Sequence, residues 1–281
     1  QMNVAVVGAT GAVGTTIIEK LIERKFPIQS LKLLASKRSA GSQVTVGGTT
    51  YTVEETTEEA FEGVDIAFFS AGGSISETYA SAAIERGAVV IDNTSAYRMT
   101  EGVPLVVPEV NPDAMRQHKG LIANPNCSTI QMVGALKTVK EKYDIRRLIV
   151  STYQAVSGAG ADAIAELEAQ SQNFEGRASN EANILPSGSQ PKHFPIAFNV
   201  IPQIDAFGEG GYTLEELKMM NETRKIFNDD TMEVAATCVR LPVVTGHSES
   251  VYIELGENAP DVTVEQLKRD IAEVPGVIVQ A

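Results

Sequence analysis

Near its start the chain carries the stretch Asn3-Val4-Ala5-Val6-Val7-Gly8-Ala9-Thr10-Gly11-Ala12-Val13-Gly14. The Val-rich run 3–7 is typical of a strand buried on both faces, and apolar residues at helical spacing follow from 12 to 24. Glycines at such a junction let the backbone approach a pyrophosphate, toward which the helix directs its free N–H groups. The GxxGxxG spacing is a variant of the dinucleotide fingerprint. We therefore expect cofactor contacts in this turn at Gly8, Thr10, Gly11, Ala12 and Val13.

The rest of the first half alternates between strands and helices. Further strands are predicted at 31–35, 65–69, 88–91 and 121–123, with a helix at 75–86 and a small hairpin at 44–53. This alternation indicates βαβ units and a mainly parallel sheet. We predict an α/β fold whose N-terminal, Rossmann-like parallel-sheet domain, residues 1–127, binds a dinucleotide.

The pattern changes after Cys127. Helices are predicted at 128–143, 159–172, 213–227 and 262–273, and strands at 146–155, 232–241 and 250–255. The last two strands are predicted to be neighbours joined by a turn at 242–247. The second domain, residues 128–281, is therefore predicted to be of the α+β type.

Composition narrows the class of partner. The 281 residues include 23 Lys and Arg against 36 Asp and Glu, a net charge of −13 that disfavours nucleic acid and anionic membranes. No apolar stretch is long enough to span a bilayer, and the first strand begins too early for a signal peptide. Two cysteines outside any CxxC or Cys/His cluster favour a reducing cytoplasm and argue against a metal site.

The segment after the second strand indicates which dinucleotide is bound. An NAD site places an acid there to hold the ribose 2′-hydroxyl, but residues 35–40 contain none. Ser36, Arg38 and Ser39 instead offer hydrogen-bond donors and a positive charge, which suit a 2′-phosphate. The sequence therefore predicts NADP.

Cys127 lies between a predicted strand and a predicted helix. Asn126 or its neighbour can cap that helix, and the positive potential at a helix N-terminus favours the nucleophilic thiolate. Cys238, inside an apolar strand, is predicted to be a buried hydrophobic residue. A thiolate near a nicotinamide suggests an aldehyde dehydrogenase that forms a hemithioacetal and then a thioester. Spacing alone leaves both His193 and His247 as candidates for the base.

Six segments together resemble the aspartate-semialdehyde dehydrogenase family. They run in order along the chain: 8–14, 93–98 (Asn-Thr-Ser-Ala-Tyr-Arg), 125–129 (Pro-Asn-Cys-Ser-Thr), 154–160 (Gln-Ala-Val-Ser-Gly-Ala-Gly), 221–225 (Asn-Glu-Thr-Arg-Lys) and 240–247. In the reductive direction that family converts L-aspartyl-4-phosphate and NADPH to the semialdehyde and phosphate, on the route to lysine, threonine and methionine. Two alternatives with the same thioester chemistry are N-acetyl-γ-glutamyl-phosphate reductase and glyceraldehyde-3-phosphate dehydrogenase, and a third is a dinucleotide-binding protein without turnover.

The resemblance implies a role for each matching residue. Cys127 would be the nucleophile, His247 the general acid/base, and Gln154 would orient the acyl intermediate with support from Asn126. Arg240 would pair with the substrate α-carboxylate and Glu222 with the α-ammonium, while Arg98 and Lys225 would bind the phosphoryl group. Further cofactor contacts are implied at Ser70, Gly72, Ser157 and Gly158.

The resemblance also implies an assembly and a length. Members form at least a dimer through the second domain, so a homodimer or a dimer of dimers is expected. They continue for several dozen residues beyond the position of Ala281, with a long helix that returns to the nucleotide domain. We therefore expect a C-terminal part to be absent from this sequence.

Overall fold

The computed structural model describes residues 1–174 and 180–280. The chain divides into two compact units, Gln1–Val106 with Pro112–Pro125 and Val107–Asn111 with Asn126–Ala281. No helix in these described ranges is both long and apolar enough to cross a membrane.

The first unit is built on a parallel sheet. Its strands are β1 (Met2–Val7), β2 (Ile28–Ala35), β3 (Gln43–Val46), β4 (Thr49–Thr52), β5 (Glu54–Glu55), β6 (Ile66–Phe69), β7 (Val89–Asp92) and β8 (Leu121–Ala123). Six of them form the sheet in the order β5-β2-β1-β6-β7-β8 with every pair parallel, while β3 and β4 form an antiparallel hairpin. The helices are α1 (Ala12–Glu23) and α2 (Gly73–Glu85). The parallel sheet and the hairpin that the sequence predicts are both confirmed.

The strand order of this sheet reverses beside β1. The chain passes from β1 to β2 on one side and returns through β6 on the other. Residues 4–7 of the central strand are almost inaccessible because apolar side chains cover both faces. In open α/β sheets, ligands bind outside the carboxyl ends of the strands at such a reversal. The loops that follow β1 and β6 both leave the sheet at this point.

The second unit holds a sheet of three strands. These are β9 (Ile145–Gln154), β10 (Glu233–Arg240) and β11 (Ser248–Leu255), in the order β10-β9-β11. The central β9 is parallel to β10 and antiparallel to β11. The helices are α3 (Cys127–Tyr143), α4 (Ala161–Gln172), α5 (Leu214–Phe227) and α6 (Val264–Ala272).

The predicted pairing of the last two strands is wrong. The strands β10 and β11 do not pair with each other, because β9 lies between them. The segment 241–247 is therefore a crossing over the end of β9, long enough to span two strand spacings of about 4.8 Å each. Two backbone hydrogen bonds hold this segment in place: Val156 N donates to Val243 O (2.9 Å) and Ser157 N donates to Val244 O (3.1 Å). The crossing carries His247 to the carboxyl end of the central strand.

The two faces of this sheet differ in burial. Along β9, Leu148, Val150 and Thr152 are buried, whereas Ile149 and Tyr153 on the opposite face are exposed. Helices α3 and α5 contact the sheet strands on the covered side. The alternation leaves an outer face of the sheet on which the large side chains of Ile149, Tyr153 and Tyr252 are exposed.

Candidate active site

Cys127 is the first residue of α3. The side-chain oxygen of Asn126 accepts hydrogen bonds from Ser128 N (2.9 Å) and Thr129 N (3.4 Å), which caps the helix as the sequence predicts. The thiol is reachable by solvent, in contrast to Cys238, which is fully buried and contacts Met219. The prediction that Cys238 is a hydrophobic core residue is confirmed.

The other residues of the site come from one end of the second sheet. Gln154 and Arg240 are the last residues of the parallel strands β9 and β10 and lie side by side in register. His247 directly precedes the antiparallel β11, so it reaches the same end. The carboxyl end of two strands and the start of the third therefore bring these side chains together.

The structure decides between the candidate histidines. His247 Nε2 lies 3.1 Å from Cys127 Sγ, although 120 residues separate them. His193 instead contacts the backbone oxygen of Ser187 (3.0 Å), and His118 Nδ1 accepts from Gly120 N (3.0 Å). Of the three histidines, all within the described residues, only His247 contacts the thiol.

Arg240 is a buried cation with part of its guanidinium unused. Its Nη1 donates to Ala155 O (2.6 Å), and its backbone forms two hydrogen bonds with Ile201. Its Nε is buried and has no hydrogen-bond partner within the described ranges. A buried charged group normally has all its donors satisfied, so an open donor here indicates a place for an anionic ligand.

Glu215 is a site residue that the sequence reasoning missed. Its Oε1 accepts from Asn126 Nδ2 (2.6 Å) and its Oε2 from Gln154 Nε2 (2.9 Å). The carboxylate is only 6% exposed. From sequence it is an ordinary acid in the first turn of a helix, where it complements the helix dipole. The available signal was its spacing of seven from Glu222, which places both acids on one face of α5.

Glu222 lies directly beside the backbone that precedes Cys127. It is almost fully buried, and its Oε1 accepts a hydrogen bond from Asn126 N (2.6 Å). Lys225, one turn further on, is half-buried, and burial lowers its pKa. Glu222 therefore anchors the backbone beside Cys127, and the substrate roles predicted for Glu222 and Lys225 stay predictions.

The groups around the thiol act on its pKa in opposite directions. Burial, followed by the nearby charge of Glu215, raises the pKa of Cys127, while Ser128 and Arg240 lower it to a smaller extent. Desolvation is the largest effect on this pKa, and the thiolate that the helix N-terminus predicts for Cys127 stays a prediction. Burial and the charge of Arg240 lower the pKa of His247, which favours the neutral imidazole.

Gly158 lines the same site. It belongs to a short 3₁₀ turn, Val156–Ala159, that follows β9. A Cβ at this position would lie 3.2 Å from Arg240 Nη1 and 3.6 Å from the His247 ring. The absence of a side chain thus keeps space open beside both residues. The cofactor contacts predicted at Ser157 and Gly158 stay predictions.

The glycine turn of the first unit forms a cradle at the strand-order reversal. Gly8 adopts a φ of +85°, and a Cβ on it would lie 2.8 Å from the backbone of Ser70. Thr10, Gly11 and Val13 are exposed, and no acid occurs in the first turn of α1. Ser70 directly follows the neighbouring β6 and its side chain donates to Val7 O (3.0 Å), and Gly72 adopts a φ of +93°. This arrangement fits the pyrophosphate of a dinucleotide.

The segment after β2 is open to solvent. Ser36 and Arg38 are exposed, and a turn closed by Ser39 N donating to Ser36 O (3.0 Å) presents them. At the other side of the sheet, Arg98 is buried and donates to Asn124 O and Asn93 O (both 2.9 Å). The phosphate-binding roles of Arg38 and Arg98 stay predictions. In the ranges that the structure describes, no cluster of three or more His, Cys, Asp or Glu residues could hold a metal ion.

Comparison with known proteins agrees with this geometry. The family model described as "Semialdehyde dehydrogenase, NAD binding domain" matches residues 3–118, and "Semialdehyde dehydrogenase, dimerisation domain" matches residues 136–281. Aspartate-semialdehyde dehydrogenases of Bacillus subtilis and Aquifex aeolicus are 56% and 51% identical to the chain, over 99% of its length and 80% of theirs.

Solved structures give the same result. The crystal structure of aspartate semialdehyde dehydrogenase II from Vibrio cholerae matches with a TM-score of 0.91 and 48% identity, over 98% of this chain and 80% of that one. A complex of that enzyme with ASA matches with a TM-score of 0.88 and 47% identity, over the same shares of the two chains. A more distant match is the Candida albicans enzyme with NADP, with a TM-score of 0.71 and 26% identity, over 96% of this chain and 76% of that one. The chain belongs to the aspartate-semialdehyde dehydrogenase family of oxidoreductases.

Proposed function

We propose that this protein catalyses the NADPH-dependent conversion of L-aspartyl-4-phosphate to L-aspartate-4-semialdehyde and phosphate, through a thioester on Cys127. The observation that carries the proposal is the contact of Cys127 Sγ with His247 Nε2 beside the open guanidinium of Arg240. A nucleophilic thiol with a neutral imidazole suits acyl transfer. A buried cation with a free donor suits a substrate that carries a carboxylate.

The α-carboxylate and the α-ammonium of the substrate each need a protein group of opposite charge. The substrate α-carboxylate would accept hydrogen bonds from Arg240, whose planar fork suits a carboxylate. For the α-ammonium we propose Glu215 in place of Glu222. Glu215 accepts hydrogen bonds from the side chains of Asn126 and Gln154, whereas Glu222 accepts one from the backbone N–H of Asn126.

A hydrogen-bond network holds the groups near the acyl intermediate. Thr152 Oγ1 donates to Gln154 Oε1 (2.8 Å), so the amide of Gln154 points its nitrogen at Glu215. Asn126 is held from both ends, by the cap it forms and by Glu215. Fixed amides beside the sulfur can donate to the oxygen on which charge develops without reorganising. We therefore assign to Gln154 and Asn126 the orientation and support of the acyl intermediate.

The phosphoryl group needs cations of its own. Arg98 and Lys225 are the candidates that the family motifs indicate. Lys218 is an additional candidate, because it follows Glu215 by three residues, the same spacing as between Glu222 and Lys225. Its Nζ lies 3.7 Å from Asp205 Oδ2. A higher KM for phosphate in Lys218→Ala, in Lys225→Ala or in both would show which lysine contributes.

The cofactor is proposed to be NADP, held by Gly8 to Val13, Ser70 and Gly72 with Ser36, Arg38 and Ser39 around the 2′-phosphate. Ser157 and Gly158 are proposed as further contacts. When bound, the nicotinamide supplies the hydride that reduces the thioester carbon. The residues Ser36 and Arg38 support NADP because they are exposed and no carboxylate stands in 35–40 to repel the extra phosphate.

The assembly is proposed to be a homodimer or a dimer of dimers. The outer face of the three-stranded sheet supports this, because it carries the exposed side chains Ile149, Tyr153 and Tyr252 in a segment that matches a dimerisation domain. Exposed apolar patches of this kind are typical of interfaces. A cytoplasmic location is proposed from the two free thiols.

The test is phosphate-dependent reduction of NADP by L-aspartate-4-semialdehyde. We expect NADPH to form only when phosphate is present, and NAD to replace NADP poorly. Cys127→Ala should abolish turnover and retain NADP binding, because the nucleophile is lost and the glycine cradle is untouched. Turnover by that variant, or a rate of NADPH formation that does not depend on phosphate, would contradict the thioester route.

A further inference from the structure

The loops that follow two neighbouring strands hold Arg98. The strands β7 and β8 are parallel and pair with each other. Asn93 is the first residue after β7, and Asn124 is the first residue after β8. Arg98 Nε donates to Asn124 O and Arg98 Nη2 donates to Asn93 O, both at 2.9 Å. The two carbonyl oxygens therefore meet the same edge of the guanidinium, because Nε and Nη2 form one side of its planar fork.

This two-point contact depends on the distance between the loops. The two carbonyls belong to different strand ends, and neighbouring strands lie about 4.8 Å apart. A planar fork donates to two oxygen atoms only when their separation suits it. A displacement of either loop would therefore break one bond and turn the guanidinium. Both acceptors are neutral carbonyls, so these two bonds orient the cation of Arg98 without neutralising it.

A side-chain hydrogen bond joins the same two loops. Asn124 Nδ2 donates to Asn93 Oδ1 at 2.7 Å, and both side chains are half-buried. The residues that this bond connects are those whose carbonyl oxygens hold Arg98. We propose that Asn93 and Asn124 are positioning residues, whose side-chain bond sets the spacing of the two carbonyls and so aims the guanidinium of Arg98 at the phosphoryl group.

Backbone and carboxylate contacts fix where each loop begins. Asn124 N donates to Asp92 O at 2.8 Å, which ties the start of the second loop to the end of β7. The buried carboxylate of Asp92 accepts from Thr94 N and from Ser76 Oγ, both at 2.9 Å. Asn93 lies between Asp92 and Thr94, so this turn fixes its backbone. The asparagine side chains then act between two loops that are already anchored.

This inference rests on the proposed function, because the phosphoryl role of Arg98 belongs to it. Inorganic phosphate is a substrate in the oxidative direction of that reaction. Asn93 and Asn124 act on phosphate only through Arg98, so their loss should weaken phosphate binding and leave hydride transfer nearly intact. Such a loss raises KM for phosphate while kcat changes little.

The experiment measures the dissociation constant of inorganic phosphate by isothermal titration calorimetry, together with KM for phosphate in the NADP reduction assay. Asn93→Ala and Asn124→Ala break the same bond, so we expect each to weaken phosphate binding about tenfold. The double variant should be no weaker than either single variant. We expect kcat at saturating phosphate and the affinity for NADP to change less than about twofold.

Asn3→Ala is the matched control. It also removes one asparagine side chain and one hydrogen bond, from Ser30 Oγ (2.7 Å), but at the amino end of β1. Its phosphate affinity should equal that of the unaltered chain. An equal loss in the control, or unchanged phosphate affinity in both Asn93→Ala and Asn124→Ala, would overturn the inference.

A second cycle shows whether the effect passes through Arg98. In Arg98→Lys a single ammonium cannot reproduce the fork, so adding Asn124→Ala should weaken phosphate binding no further. Additive losses in this cycle, or no phosphate binding by the unaltered chain, would also overturn the inference. Calorimetry requires no turnover. A failure of the inference is therefore distinguishable from a failure of the proposed function, which the unaltered chain would show by forming no NADPH.

Discussion

Arg240 is the side chain whose geometry leaves the clearest opening for a ligand, since its Nε is buried without a partner among the described residues. We expect Arg240→Lys to lower kcat/KM for the semialdehyde by about 10²-fold. A point charge cannot reproduce the fork, and a hydrogen bond to a charged group contributes about 1.5–3 kcal/mol. Steady-state kinetics measure the effect, with Arg116→Lys, a fully surface position, as control. Equal kcat/KM in the two variants would remove Arg240 from the site.

Arg38 tests the choice of dinucleotide. We expect Arg38→Asp to reduce the preference for NADP over NAD, because a carboxylate repels the 2′-phosphate and can hold a ribose 2′-hydroxyl. The measurement is the ratio of dissociation constants for the two dinucleotides by fluorescence titration. Lys25→Asp, in the loop that follows α1, provides a control with the same change of charge. A ratio that moves equally in both variants would count against the assignment of Arg38.

Glu249 makes stability depend on pH. Both its carboxylate oxygens are shielded from solvent, and burial raises its pKa to about 8 although the side chain of Gln131 lowers it to a smaller extent. In the unfolded chain the carboxyl of Glu249 ionises near pH 4.3, the ordinary value for glutamate. Between that pH and about 8 the unfolded chain therefore binds fewer protons than the folded chain, and the free energy of unfolding falls as pH rises. We expect Glu249→Gln to remove this slope and to add roughly 1–3 kcal/mol at pH about 8.

Urea unfolding across that pH range measures the effect. Glu254→Gln on the same strand is the matched control, because Glu254 is paired with Arg146 and Arg147. Its loss should not stabilise the protein at any pH. An unchanged pH slope in Glu249→Gln would show that this carboxyl is ionised in the folded state.

At the scale of elements, the β1–α1 turn depends on two glycines for different reasons. A Cβ on Gly14 would lie 2.0 Å from Gly8 O, whereas a Cβ on Gly11 meets the same atom at 3.4 Å, an ordinary contact. We expect Gly14→Ala to destabilise the chain by about 3 kcal/mol or more, because strand and helix must separate to admit the methyl group. Gly11→Ala should change the unfolding free energy by about 0.5 kcal/mol or less.

Urea unfolding of the two variants side by side tests this difference. Both substitutions add one methyl group to the same turn, so effects of composition cancel. Similar unfolding free energies would mean that the close approach of α1 to β1 is not required. The β1–α1 turn would then not depend on the close contact between Gly14 and Gly8.

At the scale of the whole molecule, the bare sheet face predicts the assembly. Tyr252 is 57% exposed on the outer face of β11, opposite Ile149. We expect Tyr252→Glu to weaken dimerisation at least about tenfold, because a buried unpaired carboxylate is costly in an apolar interface. Sedimentation velocity measures the change. Val264→Glu, 67% exposed on α6 away from the sheet, should leave the sedimentation unchanged, and a matching change in it would point to a general effect of charge.

Local physics explains what could be predicted from the sequence by itself. The Val-rich run at residues 3–7, the glycine turn and the helical spacing after it are patterns of neighbouring residues, and the structure has β1 and α1 where they indicate. The cap at Asn126 is likewise local, because it depends on two amides within three residues. For the same reason Cys127 was predicted at a helix start and Cys238 in the core.

The tertiary structure decided everything that depends on which distant segments meet. The sheet order β10-β9-β11 places His247 over the end of β9, whereas hydrophobic periodicity cannot tell a crossing from a hairpin. Glu215 joins the hydrogen-bond network of Asn126 only because α5 packs beside that residue, and burial of the thiol raises the pKa of Cys127. Periodicity and capping act over a few residues, but contact and desolvation are properties of the assembled fold.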